Sequence, residues 1–200
     1  MARITLQLVI SLALVCLALT SSGQDAHAAS VRDQESLNAW AQVEKVLLHP
    51  RCLNCHSAGD RPRQADDRHV HQFRVLNGHQ GTGKPGTLCI GCHQASNQHT
   101  SGVPGALNWQ HAPTSMTWES SPGTALQGKQ LCRVLRDPKK NGGRDLPALI
   151  EHLRTEPLVL WAWAPGNNAK DEARTTPPIS HEDLISHASL WADKGAKCPS

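Results

Sequence analysis

Between residues 33 and 49 the apolar side chains Leu37, Trp40, Val43 and Leu47 recur at spacings of three, three and four, which draws one stripe along a helix. Pro50 stops that helix, since it cannot donate a backbone hydrogen bond. Leu131, Cys132 and Leu135 share a face of a second helix that Pro138 closes. Asp145 caps a third, with Leu146, Leu149, Ile150 and Leu153 as its apolar face and Pro157 beyond its end. Ser180 and Asp183 open a last helix as a capping-box-like pair, Leu184, Ala188 and Trp191 face inward, and Gly195 ends it. The apolar run 158–165 fits either helix or strand. Residues 57–88 and 101–123 carry no sustained period, and Gly59, Gly78, Gly81, Gly83 and Pro85-Gly86 punctuate the first of them. No stretch alternates long enough to read as a strand. The pattern predicts an all-α class: helical pieces joined by long loops, with the helix over 33–48 packing near the terminal one over 181–194.

The first residues read differently. Arg3, the apolar run 4–20 and the small-residue triplet Ala26-His27-Ala28 have the order of a secretory signal, so residues 1–28 are expected to be removed and 29–200 to form one domain. A retained anchor is the competing reading, because the run is almost long enough to span a bilayer, but Gln7 interrupts it. Leu14 and Val15 precede Cys16 where a lipidation signal wants small residues. The mature chain is therefore expected in an oxidising compartment, most simply a bacterial periplasm.

Composition narrows the function. A net charge of +3 with no basic tract offers no nucleic-acid footprint. With one Phe, no Tyr and six Trp, and long polar stretches rich in Gly, Pro and His, the chain has little with which to fill a sizeable core. A large apolar cofactor would supply the missing interior.

The sequence names one. "CLNCH" at 52–56 is repeated as "CIGCH" at 89–93. Cys-x-x-Cys-His is the attachment signature of c-type haem: on a helical turn the two thiols and the histidine share a face, so thiols meet vinyl groups while the imidazole reaches iron. Cys52, Cys55 and proximal His56 would hold one haem, and Cys89, Cys92 and proximal His93 the other, in a cytochrome c-like fold wrapped by the long loops. A zinc site would gather four ligands and does not explain a histidine after each pair. A thioredoxin-like pair lacks its βαβ setting, and two disulfides leave both histidines idle.

For the far side of each iron, Met116 stands in "HAPTSMTWE" between Trp109 and Trp118, whose rings are expected to pack on a porphyrin. His71, in the loop between the two words, is the second candidate and His152 the reserve. His49 is too near Cys52 to reach across the ring, and His69, His79, His99, His111, His181 and His187 are expected to be solvated or partner-bonded. Arg61, Arg63, Arg68 and Arg74 would face propionates, an acidic partner or solvent. Cys132 and Cys198 remain and are expected to form a disulfide.

The ordered run "HPRCLNCH", "GDRP", His71, "CIGCH", "VPGALNW", "HAPTSMTWE", "LCRVLRDPKKNGGRDLPALIEHL", "PLVLWAWAPG" and "GAKCP" resembles a group of small exported dihaem cytochromes often labelled as an isoquinoline 1-oxidoreductase subunit, over most of residues 45–200. The resemblance implies association with a molybdenum hydroxylase that passes electrons onward, with His56 and His93 proximal and His71, Met116 and His152 as the distal positions to test. No run here would bind a molybdopterin or an iron–sulfur cluster. The expectation is a periplasmic electron carrier or electron-accepting subunit with no catalytic residues of its own. The alternative is a haem enzyme or sensor with one open iron, reacting with peroxide or a diatomic gas.

Overall fold

The structure, a computed structural model, describes residues 27–200. The expected signal segment lies outside the described residues except for 27 and 28, which belong to the first helix.

Helix α1 runs over 27–47, and its buried stripe is Ala39, Trp40, Val43, Val46 and Leu47. Pro50 ends it and begins the next: α2, Pro50–Leu53, takes proline at its first position, where the missing N–H costs nothing. Helices α3 (Gly128–Arg136), α4 (Leu146–Thr155), α5 (Pro157–Trp161) and α6 (His181–Asp193) follow. Asp145 caps α4 by accepting from the Ala148 N–H, and Ser180 caps α6 by accepting from the Asp183 N–H. The undecided run 158–165 thus opens as a short helix, α5, again begun by a proline.

The helices enclose the core. Trp40 of α1 and Trp191 of α6 meet at 5.2 Å between ring centres, and around them gather Leu47, Leu131, Leu135, Leu149, Leu153 and Leu184. Ser36 is buried between α1 and the C-terminal tail: its hydroxyl donates to the Trp191 carbonyl at 3.1 Å and accepts from the Lys197 N–H at 3.0 Å. The tail is tied to α3 by a Cys132–Cys198 disulfide, with Cα atoms 5.6 Å apart. The packing of the 33–48 helix beside the terminal one is what the structure shows.

The all-α, cytochrome c-like class is corrected. The described residues also hold two antiparallel ribbons, β1 (Arg63–Gln64) with β2 (His69–Val70) inside the first stretch read as irregular, and β3 (Glu119–Ser121) with β4 (Thr124–Ala125) at the end of the second. Their strands are two or three residues long, too short for alternation to register, and they are held by charge rather than by an apolar face. Glu119, 3 % exposed, is the fastener. Its carboxylate pairs with Arg68 and lies 3.9 Å from Arg63, both on the first ribbon, and it accepts the Ala58 N–H at 2.7 Å and the Gly123 N–H at 3.1 Å.

Candidate functional site

The two Cys-x-x-Cys-His words fold alike. In the first, the Cys55 and His56 N–H groups both donate to the Cys52 carbonyl, at 3.2 and 3.1 Å; in the second, those of Cys92 and His93 donate to the Cys89 carbonyl, at 3.2 and 3.0 Å. Each word is one helical turn that brings its thiols and imidazole to one side. All four cysteines are free thiols. Burial, reinforced by the Cys55 charge, pushes Cys52 up to about 12; burial and then Cys89 push Cys55 up to about 11, and burial raises Cys89. A thiol-redox pair needs a lowered pKa, and these surroundings do the reverse. Among the described residues no three His, Cys, Asp or Glu side chains gather as a metal cluster, so the six residues of the two words do not form a closed zinc set.

The imidazoles are set in matching cradles. His56 Nδ1 is 2.8 Å from the Met116 carbonyl and its ring stacks on Trp118 at 3.7 Å and 5°. His93 Nδ1 is 2.7 Å from the Pro104 carbonyl and its ring stacks on Trp109 at 4.3 Å and 2°. A carbonyl only accepts, so Nδ1 carries the proton in both rings and Nε2 keeps its lone pair. Burial moves both histidines down to about 4, outweighing the backbone hydrogen bonds, so both are neutral above that pH. A neutral imidazole with Nδ1 anchored and a lone pair kept on Nε2 is the form that ligates a metal. Trp118 and Trp109 lie against the histidines and fix the ring planes.

His71 follows β2, and the ribbon presents it. Its N–H donates to the Pro62 carbonyl at 2.9 Å, Arg61 donates to its carbonyl at 2.7 Å, and its own Nδ1 is 2.8 Å from the Gln72 carbonyl. The next residues, Phe73 and Arg74, take left-handed conformations at φ 59° and 53°, an unfavourable pair for side-chain-bearing residues that turns the chain sharply away behind His71. The His71 and His93 ring centres stand 6.0 Å apart at 68°. Two imidazoles sharing one metal at about 2 Å per bond, with ring centres about 1 Å further out, lie roughly 6 Å apart.

The surroundings fit a large apolar group. Val70 and Phe73 flank His71, Leu88 and Ile90 flank Cys89, and Leu107 precedes Trp109; all five are exposed, Phe73 by 85 % and Ile90 by 61 %. Apolar side chains concentrated around a pair of facing imidazoles are the lining that a porphyrin would cover.

Met116 is placed at the first word, but through its backbone. Its carbonyl holds Nδ1 of His56, and its sulfur lies beside Gly142, where an added Cβ would stand 3.2 Å from it. The contact the structure shows between Met116 and His56 is thus made by the backbone carbonyl and not by the thioether. His152, half-buried on α4, is near enough to His56 to depress its pKa. The arginines are also reassigned: Arg61, Arg63 and Arg68 are spent on the His71 carbonyl, the Arg68 carbonyl and Glu119, while Arg74 is exposed. His49 caps α2 by accepting from the Arg51 N–H at 3.3 Å, His69 pairs with Asp67 at 2.6 Å, and His181 donates to the Leu153 carbonyl at 2.9 Å.

The two words adjoin. The Ala112 N–H donates to the Cys55 carbonyl at 3.0 Å, and the His111 N–H donates to the Gly81 carbonyl at 2.9 Å, which also accepts from the Cys89 thiol at 3.5 Å. His111 is buried with its Nε2 3.0 Å from the Ser57 hydroxyl. Gly81 has φ +83°, and any Cβ there would overlap the His111 carbonyl. A second link is aromatic: Trp109, stacked on His93, meets Trp161 edge-on at 4.8 Å, and Arg51, beside Cys52, sits 5.8 Å over Trp161. Sequence reasoning missed His111, Glu119, Trp161 and Arg51 as supports. Only burial and partners reveal them.

No family model matches the chain, and neither the curated proteins nor the solved structures compared with it give a match.

Proposed function

We propose that this chain is an exported, periplasmic dihaem c-type cytochrome that transfers electrons, as a carrier or as the electron-accepting subunit of a molybdenum hydroxylase-type dehydrogenase. The observation that carries it is the repeated Cys-x-x-Cys-His turn, each copy with a neutral imidazole anchored at Nδ1 and stacked on a tryptophan. Cys52 and Cys55 would bind one haem with His56 below it, and Cys89 and Cys92 the other with His93 below and His71 above. His152 is the candidate above the first. The bound haems supply reversible one-electron chemistry.

The chain's own part is to set the irons. Backbone carbonyls at Met116 and Pro104 draw on the Nδ1 protons, which would make His56 and His93 stronger donors to a bound iron and favour its oxidised state. The tryptophan stacks hold each ring against rotation. If His93 and His71 both hold the second iron, no position would be left there for a substrate, which supports a carrier over a haem enzyme at that site.

Carbon monoxide added to the reduced protein tests the reading. Unchanged visible bands at both haems are expected; rapid, complete binding at one haem would give the open-iron alternative, a peroxide- or gas-reactive site, the place of the carrier.

A further inference from the structure

Helix α3 turns its apolar face, Leu131, Cys132, Val134 and Leu135, into the core. Its other face is basic. Lys129, Arg133 and Arg136, spaced four and three apart, form one exposed stripe, and Lys139 and Lys140 extend it past the helix end. Over residues 129–140 these five cations stand against one carboxylate, Asp137, so positive potential gathers along this stripe.

Among the described residues none of the five has a carboxylate at ion-pair distance, whereas Arg51, Arg68, Arg154, Lys194 and Lys197 do. The neighbouring acids are held by backbone N–H groups and not by these cations: Glu44 accepts from the Gly128 N–H, Asp137 from the Lys139 N–H at 3.0 Å and Asp145 from the Ala148 N–H at 2.9 Å. The helix dipole accounts for cations in the last turn, Arg133 and Arg136, but disfavours Lys129 in the first turn and does not reach Lys140.

The stripe leads to the first site. Asn141, buried, donates to the Leu135 and Arg144 carbonyls at 2.7 and 2.8 Å and so fixes the 137–144 turn against α3. Gly142 in that turn lies against the Met116 sulfur, and the Met116 carbonyl holds His56. The disulfide at Cys132 anchors the helix beneath, so the charges sit on a rigid platform.

We propose that this stripe is the docking face for an acidic redox protein, delivering or taking electrons through the His56 haem. It rests on the electron-transfer reading above. Rim charges of this kind act on encounter: they raise the association rate and lose their effect in salt.

The test uses the mature, haem-loaded protein and two reductants followed by stopped flow: reduced flavodoxin as an acidic protein probe, and cationic hexaammineruthenium(II) as a control. The rate with flavodoxin should fall steeply with ionic strength. In Lys129→Glu/Arg133→Glu/Arg136→Glu/Lys139→Glu it should fall about tenfold or more at low salt, while the ruthenium rate does not fall. The corresponding four-glutamine variant should lie between, and serves if charge reversal disturbs folding. A flavodoxin rate independent of salt, or equal in variant and wild type with both haems present by mass, would overturn the docking face alone. A chain lacking haem by mass would sink the electron-transfer reading and this inference with it.

Discussion

At the scale of single residues, the argument turns on which nitrogen of each histidine carries the proton. His56 and His93 each give Nδ1–H to a carbonyl, and burial holds both near 4 against an ordinary value of 6.5. The unfolded chain therefore binds the extra protons between pH 6.5 and about 4, so their contribution to stability is complete above 6.5 and lost as pH falls through that window. In the haem-loaded protein a proton competes for Nε2 only at the bottom of it. The low-spin visible spectrum should be constant from pH 8 to 5 and change toward high spin only as pH approaches 4 or below; a transition centred near 6.5 would mean that the imidazoles are not buried as described. His71 makes a sharper case. His71→Ala should leave two haems attached, convert one to a high-spin form and make it bind carbon monoxide, with the other unchanged. Two low-spin haems in that variant would remove His71 from the iron. The two Cys-x-x-Cys-His turns were legible in the sequence, because each is short and local, whereas the approach of His71 to His93 rests on tertiary contacts. The role of Met116 was not legible either, since a sequence shows a thioether and gives no sign that the backbone beside it is what touches His56.

At the scale of elements, the helices were legible and the ribbons were not. Leu37, Trp40, Val43 and Leu47 declared α1 by period, and Asp145 and Ser180 declared the starts of α4 and α6 by their capping side chains. The strand pairs 63–64/69–70 and 119–121/124–125 carry no period at all, and what closes them is one buried carboxylate among distant arginines. That device positions His71, so its failure should be seen at the iron as well as in stability. Glu119→Gln leaves Arg68 and Arg63 without their anion, and breaking a buried pair costs about 3–5 kcal/mol. Thermal unfolding of the variant should move down by several degrees, and the bis-imidazole spectrum should weaken in step. An unchanged spectrum and melting point would make Glu119 incidental.

At the scale of the molecule, one half is a helical core around Trp40 and Trp191, and the other is a layer of loops, 54–126, that carries both haem words. Among the described residues the layer contributes one buried hydrophobic side chain, Trp118, and leaves Val70, Phe73, Leu88, Ile90 and Leu107 exposed. On the proposed reading, a haem would cover that apolar surface beside the His71 and His93 rings. The adjacency of the words, through the Cys55–Ala112 and Gly81–His111 contacts, would place the two haems side by side as one electron-transfer unit. How far apart the words would fold was beyond sequence reasoning, because the link runs through backbone groups of residues 81 and 111–112 that have no distinguishing side-chain signal. All of it depends on covalent haem at both words. The most direct measurement is the intact mass of the mature protein, produced by export in a host with working cytochrome assembly. The account predicts the polypeptide plus two haems, falling to one when Cys52 and Cys55 are replaced by alanine. A mass equal to the polypeptide alone would contradict it.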